Sequence, residues 1–413
     1  MQALQTFNFD STVCFAGAGL MDYGIESVGG KVVQAIEYDP IIASIYSANF
    51  PSVRMHVEPI EAVNPLDLEP TDHVHGSPPC TRASTANSKG KETDEDIEPA
   101  RAFLAIIKSM HERSGGTKPR WITLEQVEGY AHFVSFGIIL GGLQALGYAT
   151  GWQILNATSF GVPQNRRRLI LRASLPGSAS AFTQLSLFGA GELRPIAPPN
   201  IKVSWYDAIV HLIPSLPPAK LAAWQVRQLI DKKVLTDANL LNACDTSGEN
   251  REPVPSTEPA FTQRCWNAPN SNAPKILLID SRNSRNDGNG LTIKDSTDKS
   301  FTLTTYTRDG HAPKLLTAKN GSGSFGGGTS VKGADEQSFT LCSSDSKRAS
   351  KIIDLETADI RLVTPDAGWL LQMYGCEKSI VWPDGINNIY KWKAIGNGVP
   401  YLLGLAVMKS LVR

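Results

Sequence analysis

The stretch His75-Gly76-Ser77-Pro78-Pro79-Cys80 puts a thiol at the mouth of a loop. Asp72-His73-Val74-His75 reads as a short strand. Gly76 and the two prolines end it, because proline has no amide proton for a ladder. A thiol at the carboxyl end of a strand, beside the small, polar and charged loop 81–98, stands where an α/β enzyme carries a nucleophile. The competing reading is a cysteine that only fills space. A second reactive group is Glu125, which ends the strand Arg120–Glu125 and lies level with Cys80 in such a sheet. A carboxyl there can be a surface residue or a helix cap; as a protonated acid in a dry pocket it can instead donate to a ring nitrogen. The third group is Gln164-Asn165-Arg166-Arg167-Arg168, leading into the strand Leu169–Arg172. In an extended segment Arg166 and Arg168 face the same way. Two guanidiniums on one face can grip a phosphate or a base carbonyl, unless they only protect an edge strand from pairing.

The elements around these groups read as an α/β protein. Thr12–Phe15 is a short strand that runs into the glycine turn Ala16-Gly17-Ala18-Gly19-Leu20 and then a helical stretch. Val32–Ile36 is a second strand, and it ends in Glu37-Tyr38-Asp39. This is the βαβ opening of a doubly wound sheet, with an acid placed to accept from both hydroxyls of a ribose. The third glycine of a dinucleotide fingerprint is absent. A nucleoside without phosphates suits the pattern better, which points to S-adenosylmethionine; a tight turn with no ligand is the alternative. Glu98–His111 has helical spacing and packs through Phe103, Ile106, Ile107 and Met110. His132–Ala149 is a second helix, ending at Gly147, and Trp152–Asn156 a strand.

Length and composition bound the class. The 413 residues suggest two or three domains, with 41% hydrophobic and 19% charged residues, enough for a substantial core. Met1–Thr12 has neither the basic nor the apolar region of a signal peptide. The apolar run near 136–146 is too short and glycine-rich to span a bilayer. The six cysteines, at 14, 80, 244, 265, 342 and 376, form no C-x-x-C pair. That argues against structural zinc and a disulfide framework, and for a reducing, cytoplasmic compartment. The histidines His73, His75 and His132 lack metal-ligand spacing and read as packing or surface residues. Net charge is zero, but residues 201–351 carry 19 Lys and Arg against 15 Asp and Glu. A polyanion would prefer that part.

The second half reads as a separate, irregular domain. Residues 175–200 are a Ser/Gly/Pro-rich linker. Val203–Leu212 is a helix stopped by Pro214. Short β-like runs follow at 275–280, 300–305, 313–316 and 338–342, and Ser300-Phe301-Thr302-Leu303 recurs as Ser338-Phe339-Thr340-Leu341. Loops rich in Arg, Asn, Ser and Gly suit base-edge and phosphate contacts. Arg282, Arg285, Arg308 and Arg348 are the leading candidates there. Thr364–Met373 and Leu402–Val412 are closing helices.

In combination these segments resemble the DNA (cytosine-5)-methyltransferase family over most of the chain. Phe15-Ala16-Gly17-Ala18-Gly19 is similar to its cofactor motif and Glu37 to the ribose-binding acid. Pro79-Cys80 resembles the Pro-Cys nucleophile, Glu125-Gln126-Val127 its Glu-Asn-Val, and Gln164 to Arg168 its Gln-x-Arg-x-Arg. Arg361-Leu362-Val363-Thr364-Pro365 resembles the segment after target recognition, and Gly396-Asn397-Gly398-Val399-Pro400 the closing Gly-Asn-Ala-Val-Pro. The resemblance implies a Rossmann-like methyltransferase sheet at 1–180, a smaller β-rich target-recognition domain at 200–353, and a return to the catalytic domain at 354–413. It implies Cys80, Glu125, Arg166 and Arg168 as catalytic residues. The implied cofactor contacts are Phe15, Gly17, Gly19, Leu20, Glu37, Tyr38, Ile60, Pro79, Asn397 and Val399. Double-stranded DNA is the implied partner, touched through Arg82, Ser84 and the four arginines above, with the target base flipped out. A monomer working beside a cognate restriction endonuclease is the expected setting. A tRNA cytosine-5 enzyme and a methyltransferase-like DNA-binding module without turnover remain the alternatives. The departures are Thr81-Arg82-Ala83-Ser84 after the nucleophile, Pro59 where the family has a cofactor-contacting Asp, and Ala367 where it has an acid.

Overall fold

The computed structural model describes residues 8–79, 92–178, 182–184, 192–219, 241–242, 276–277, 314–318, 329–332, 334–341, 350–353 and 360–412. Two compact units emerge. One comprises residues 1–209, 335–347 and 365–413; the other comprises 210–334 and 348–364.

The first unit is built on one sheet. Its strands are β1 (Phe9–Cys14), β2 (Gly30–Ile36), β3 (Arg54–His56), β4 (His73–Gly76), β5 (Trp121–Val127), β6 (Ala149–Asn156), β7 (Arg167–Ser174), β8 (Phe182–Gln184) and β9 (Glu192–Leu193). Their spatial order is β3-β2-β1-β4-β5-β7-β6-β9-β8. Strands β3 to β5 in that order pair parallel, as the doubly wound reading expects. β7 instead inserts antiparallel between β5 and β6. No crossover helix separates β6 from β7, and a short connection can only return the chain antiparallel. The expected linker 175–200 contains β8 and β9, which extend the sheet beyond β6. Two side chains on the sheet pin its trailing part. Gln153 makes both amide bonds to Ile196, at 3.1 and 2.7 Å, and buried Arg172 donates to the Arg194 carbonyl.

The helices are α1 (Leu20–Glu26), α2 (Pro40–Asn49), α3 (Asp94–Arg113), α4 (Val134–Ala145), α5 (Trp205–Ile209), α6 (Pro365–Gln372), α7 (Asn388–Asn397) and α8 (Tyr401–Lys409). The helix expected over 203–212 is shorter. α5 stops at Ile209, and a 3-10 turn over Val210–Ser215 follows, with Pro214 inside it, where its missing amide proton forbids a continued α-helix. α2 begins as its chemistry dictates: Asp39 Oδ1 accepts from the amides of Ile41 and Ile42, and Pro40 occupies the first position. α7 was not legible in advance.

Alternation along β5 and β7 gives the sheet two unlike faces. Ile122, Leu124, Leu169 and Leu171 join Phe103, Ile106, Ile107 and Met110 of α3 and Ile139 and Leu143 of α4 in an apolar core. Thr123, Glu125, Arg168 and Arg172 occupy the opposite face with His73 and His75. The two histidines share one hydroxyl: His73 Nε2 lies 2.9 Å and His75 Nδ1 2.8 Å from Thr123 Oγ1. Ser11 Oγ is 3.2 Å from the other His73 nitrogen. The expectation of packing residues is thus met by buried, hydrogen-bonded rings. Burial holds His73 well below its ordinary value and pushes His75 down to about 3.

These rings make the fold acid-sensitive. Each is neutral when folded, so its contribution is complete above 6.5, the ordinary histidine value, and declines as pH falls below it. By pH 5 each ring removes about 2 kcal/mol of stability relative to pH 7. The denaturant midpoint is expected to fall between those pH values, and less so in His75→Gln. An unchanged midpoint contradicts the assignment.

In the second unit β12 (Lys314–Ala318), β13 (Thr329–Lys332), β14 (Lys351–Ile353) and β15 (Ile360–Leu362) form an antiparallel sheet of order β13-β12-β14-β15. The strands β10 (Leu241–Asn242) and β11 (Ile276–Leu277) pair separately. Of the expected β runs, 300–305 lies outside the described residues. Ser338–Leu341 belongs to the first unit, where Ser338 bridges Gln164. No described helix is long and apolar enough to cross a membrane.

Candidate active site

The carboxyl ends of β1, β2, β4 and β5 carry the glycine turn, the acid tip, the approach to the thiol and the carboxylate. Cys80 itself lies outside the described residues, as do Arg82, Ser84, Arg282, Arg285, Arg308 and Arg348. What the structure describes is how both flanks of the 80–91 stretch are held. On the leading side Ser77 Oγ donates to the Phe15 carbonyl at 3.2 Å, and Gln126 Nε2 donates to the Pro78 carbonyl. Pro79 is exposed. On the trailing side the Glu92 carboxylate accepts the amides of Val134, at 2.5 Å, and Ser135 at the start of α4. Thr93 and Asp96 then close a capping box that begins α3. Gln126, on the apolar-core face of β5, is thus a tether for the thiol's approach. Removing one such hydrogen bond is worth about 1 kcal/mol. Gln126→Ala is expected to lower kcat roughly fivefold to tenfold, with cofactor KM unchanged; a change in KM alone contradicts that role.

Glu125 and Arg168 meet on the polar face. Arg168 Nε lies 2.8 Å from Glu125 Oε1, and their side chains are 12% and 7% exposed. Arg168 also donates to the Arg167 carbonyl at 2.7 Å. Arg166, expected to share this task, is placed apart from the pair. Arg166 precedes β7, is 1% exposed, and donates to the carbonyls of Leu341 (3.2 Å), Gly396 (3.0 Å) and Gly398 (3.0 Å). Gln164 Nε2 donates to Gln372 Oε1, and Gln372 Nε2 to the Gly398 carbonyl, both at 2.6 Å. Arg166, Gln164 and Gln372 therefore bracket the Gly396-Asn397-Gly398 turn, the arginine through backbone carbonyls.

The glycine turn after β1 is shaped by φ angles that favour glycine. Gly17 and Gly19 have φ of 57° and 80°, and Phe15 shares the left-handed region at 57°. A Cβ on Gly17 would meet nothing within 4 Å, so open space lies above the turn, whereas one on Gly19 would strike Phe50 at 2.3 Å. Glu37 is 7% exposed. Its Oε2 accepts the Gly17 amide and its Oε1 the Asp39 amide, each at 2.9 Å. Each oxygen keeps a further lone pair, which two ribose hydroxyls can fill. Burial pushes the Glu37 carboxyl up. Tyr38 is 61% exposed. Leu20, Ile60 and Val399 are buried, and Asn397 is exposed at the end of α7. Open space over Gly17, an acid with spare acceptor capacity and a largely exposed aromatic ring fit a nucleoside cofactor. Pro59 precedes the 3-10 turn Ile60–Ala62 and accepts the Ala62 amide. Ala367 is fully buried in α6.

Among the described cysteines, Cys14 is completely buried and its thiol is pushed far above its ordinary value, which removes it as a nucleophile. No described group of three His, Cys, Asp or Glu side chains is arranged to hold a metal.

Comparison with known proteins shows what the chain resembles. The family model for C-5 cytosine-specific DNA methylase matches residues 10–413. The chain is similar to the type II methyltransferase M.AquIA of Picosynechococcus, 28% identical over 254 residues, covering 53% of this chain and 95% of that one. It is 32% identical over 163 residues to type II methyltransferase M.Bsp6I of a Bacillus strain, covering 38% and 49%. Among solved structures, a putative DNA modification methyltransferase from an Escherichia coli prophage has a TM-score of 0.53 at 17% identity, and an Entamoeba histolytica methyltransferase 0.52 at 16%. Each covers 98% of both chains. At those identities they show the shared fold.

Proposed function

From the premise that the chain belongs to the C-5 cytosine-specific DNA methylase family, we propose that Cys80 attacks the target cytosine and that Glu125 and Arg168 hold its ring. The enzyme methylates C5 of cytosine in DNA and uses S-adenosylmethionine as methyl donor. The observation that carries the assignment of roles is the buried Arg168–Glu125 pair at the carboxyl end of β5.

Cytosine C5 is a weak nucleophile. Addition of the Cys80 thiolate to C6 breaks the C5=C6 double bond and makes the ring enamine-like, with electron density on C5 and toward N3. Glu125 neutralises N3 by hydrogen bonding or proton donation, and Arg168 binds the O2 carbonyl while fixing the carboxyl. Bound S-adenosylmethionine supplies the electrophilic methyl group on a sulfonium. Once C5 carries the methyl, loss of its proton to a solvent base re-forms the double bond and expels the Cys80 thiolate. The atom attacked lies inside the duplex stack, so the base is flipped out at a cost of a few kcal/mol. The cofactor side is held by Gly17, Glu37, Tyr38 and the Asn397 turn.

The finer readings are that the second unit selects the target sequence, and that the enzyme acts as a cytoplasmic monomer beside a cognate endonuclease. The small net positive charge of 201–351, 19 Lys and Arg against 15 Asp and Glu, favours the first. The test is bisulfite sequencing of host DNA after expression. A methylated motif, lost in Cys80→Ala, supports the proposal; an unmethylated genome despite cofactor binding favours a binding module.

A further inference from the structure

We propose that Lys393 is a positioning residue for the cofactor, latching α7 onto the acidic tip of β2 so that the nucleoside end of the pocket is preformed. The inference rests on the cofactor reading above. Lys393 Nζ lies 2.6 Å from Asp39 Oδ2. Its ammonium also sits 5.8 Å from the centroid of the Tyr38 ring and 5.9 Å from that of Tyr390. Asp39 uses its other oxygen, Oδ1, to cap α2, so one carboxylate joins the start of α2 to the middle of α7. The Asp39 amide binds Glu37, and Glu37 binds the Gly17 amide. One polar chain therefore runs from the glycine turn through Glu37 and Asp39 to α7.

Three consequences follow from this geometry. Carboxylates at 37 and 39 repel each other beside a pocket that must accept hydroxyl groups, and the Lys393 charge offsets that repulsion. Its own proton is held more firmly by Asp39, so it stays charged. A cation beside the ring restrains the exposed Tyr38; an ordered ring presents one flat surface to a purine. Finally, Lys393 and Asn397 are four residues apart, one turn along α7. The latch thus also sets the height of the Asn397 turn that Arg166 and Gln372 bracket from behind.

The test uses the full chain. Binding of S-adenosylhomocysteine is measured by calorimetry, and KM and kcat are measured with bulk duplex DNA. Lys393→Met is expected to weaken binding and raise cofactor KM by about tenfold, the size of one charge-assisted bond, with kcat within about twofold of the parent. Lys393→Arg is expected to restore most of the affinity. Asp39→Asn, which keeps the α2 cap, should reproduce the loss, and the double variant should be no weaker than either single one. Unchanged binding in Lys393→Met, a fall in kcat at constant KM, or additive losses would overturn the proposal. A parent protein that fails to bind S-adenosylhomocysteine overturns the cofactor reading and this inference together.

Discussion

Cys80→Ala is expected to lose methyl transfer by at least about 10⁴-fold while binding S-adenosylhomocysteine as the parent does. The reason is electronic. Without addition at C6, the cytosine ring offers C5 no usable electron pair, and neither thiol among the described residues can substitute. Cys14 is sealed in β1, and burial also raises the thiol of Cys376. Cofactor affinity is unaffected because the glycine turn and Glu37 hold each other without the thiol. Radiolabelled methyl incorporation into duplex DNA, read beside calorimetry, checks both halves.

The second large effect lies in the Glu125–Arg168 pair, where the two partners separate. Arg168→Met leaves a carboxyl that is 7% exposed without its cation. Breaking a buried pair costs about 3–5 kcal/mol, and activity is expected to drop by about 10³-fold with a lower unfolding midpoint. Glu125→Gln keeps a hydrogen-bonding partner for Arg168 and so keeps stability. It cannot give a proton to N3, and kcat is expected to fall by about 10²- to 10⁴-fold. Equal loss of stability in both variants, or full activity in Glu125→Gln, would show that the pair only supports the fold.

Local chemistry decided what could be read in advance. The glycine turn with its acid, the proline-flanked thiol and the basic run are short segments whose residue types constrain backbone and chemistry together. Long-range pairing was not legible. Nothing in residues 157–166 announces that β7 inserts antiparallel next to β5, yet that register is what sets Arg168 opposite Val127 and within reach of Glu125. The same is true of Arg166. Its alternation with Arg168 suggested a shared grip, but it stands before the strand, and its partners come from residues 341, 396 and 398, more than 170 positions away. Lys393 was equally silent, because a lysine on an amphipathic helix usually faces water, and only the meeting of α7 with β2 gives it Asp39. The linker at 175–200 failed for a different reason. Ser, Gly and Pro content tracks weak local propensity, while β9 is held by the edge of β6 and the chain just after it by Gln153 at Ile196.

The most direct measurement of the sulfur-to-ring chemistry uses a random-sequence duplex library containing 5-fluorocytosine, incubated with the protein and S-adenosylmethionine. Fluorine leaves C5 with no proton to lose, so the carbon–sulfur bond at C6 persists after methyl transfer. Peptide mass mapping is predicted to find the methylated fluorocytosine adduct on the peptide containing Cys80, dependent on cofactor. Absence of any adduct on an enzyme that methylates ordinary DNA, or an adduct on another residue, would contradict the account.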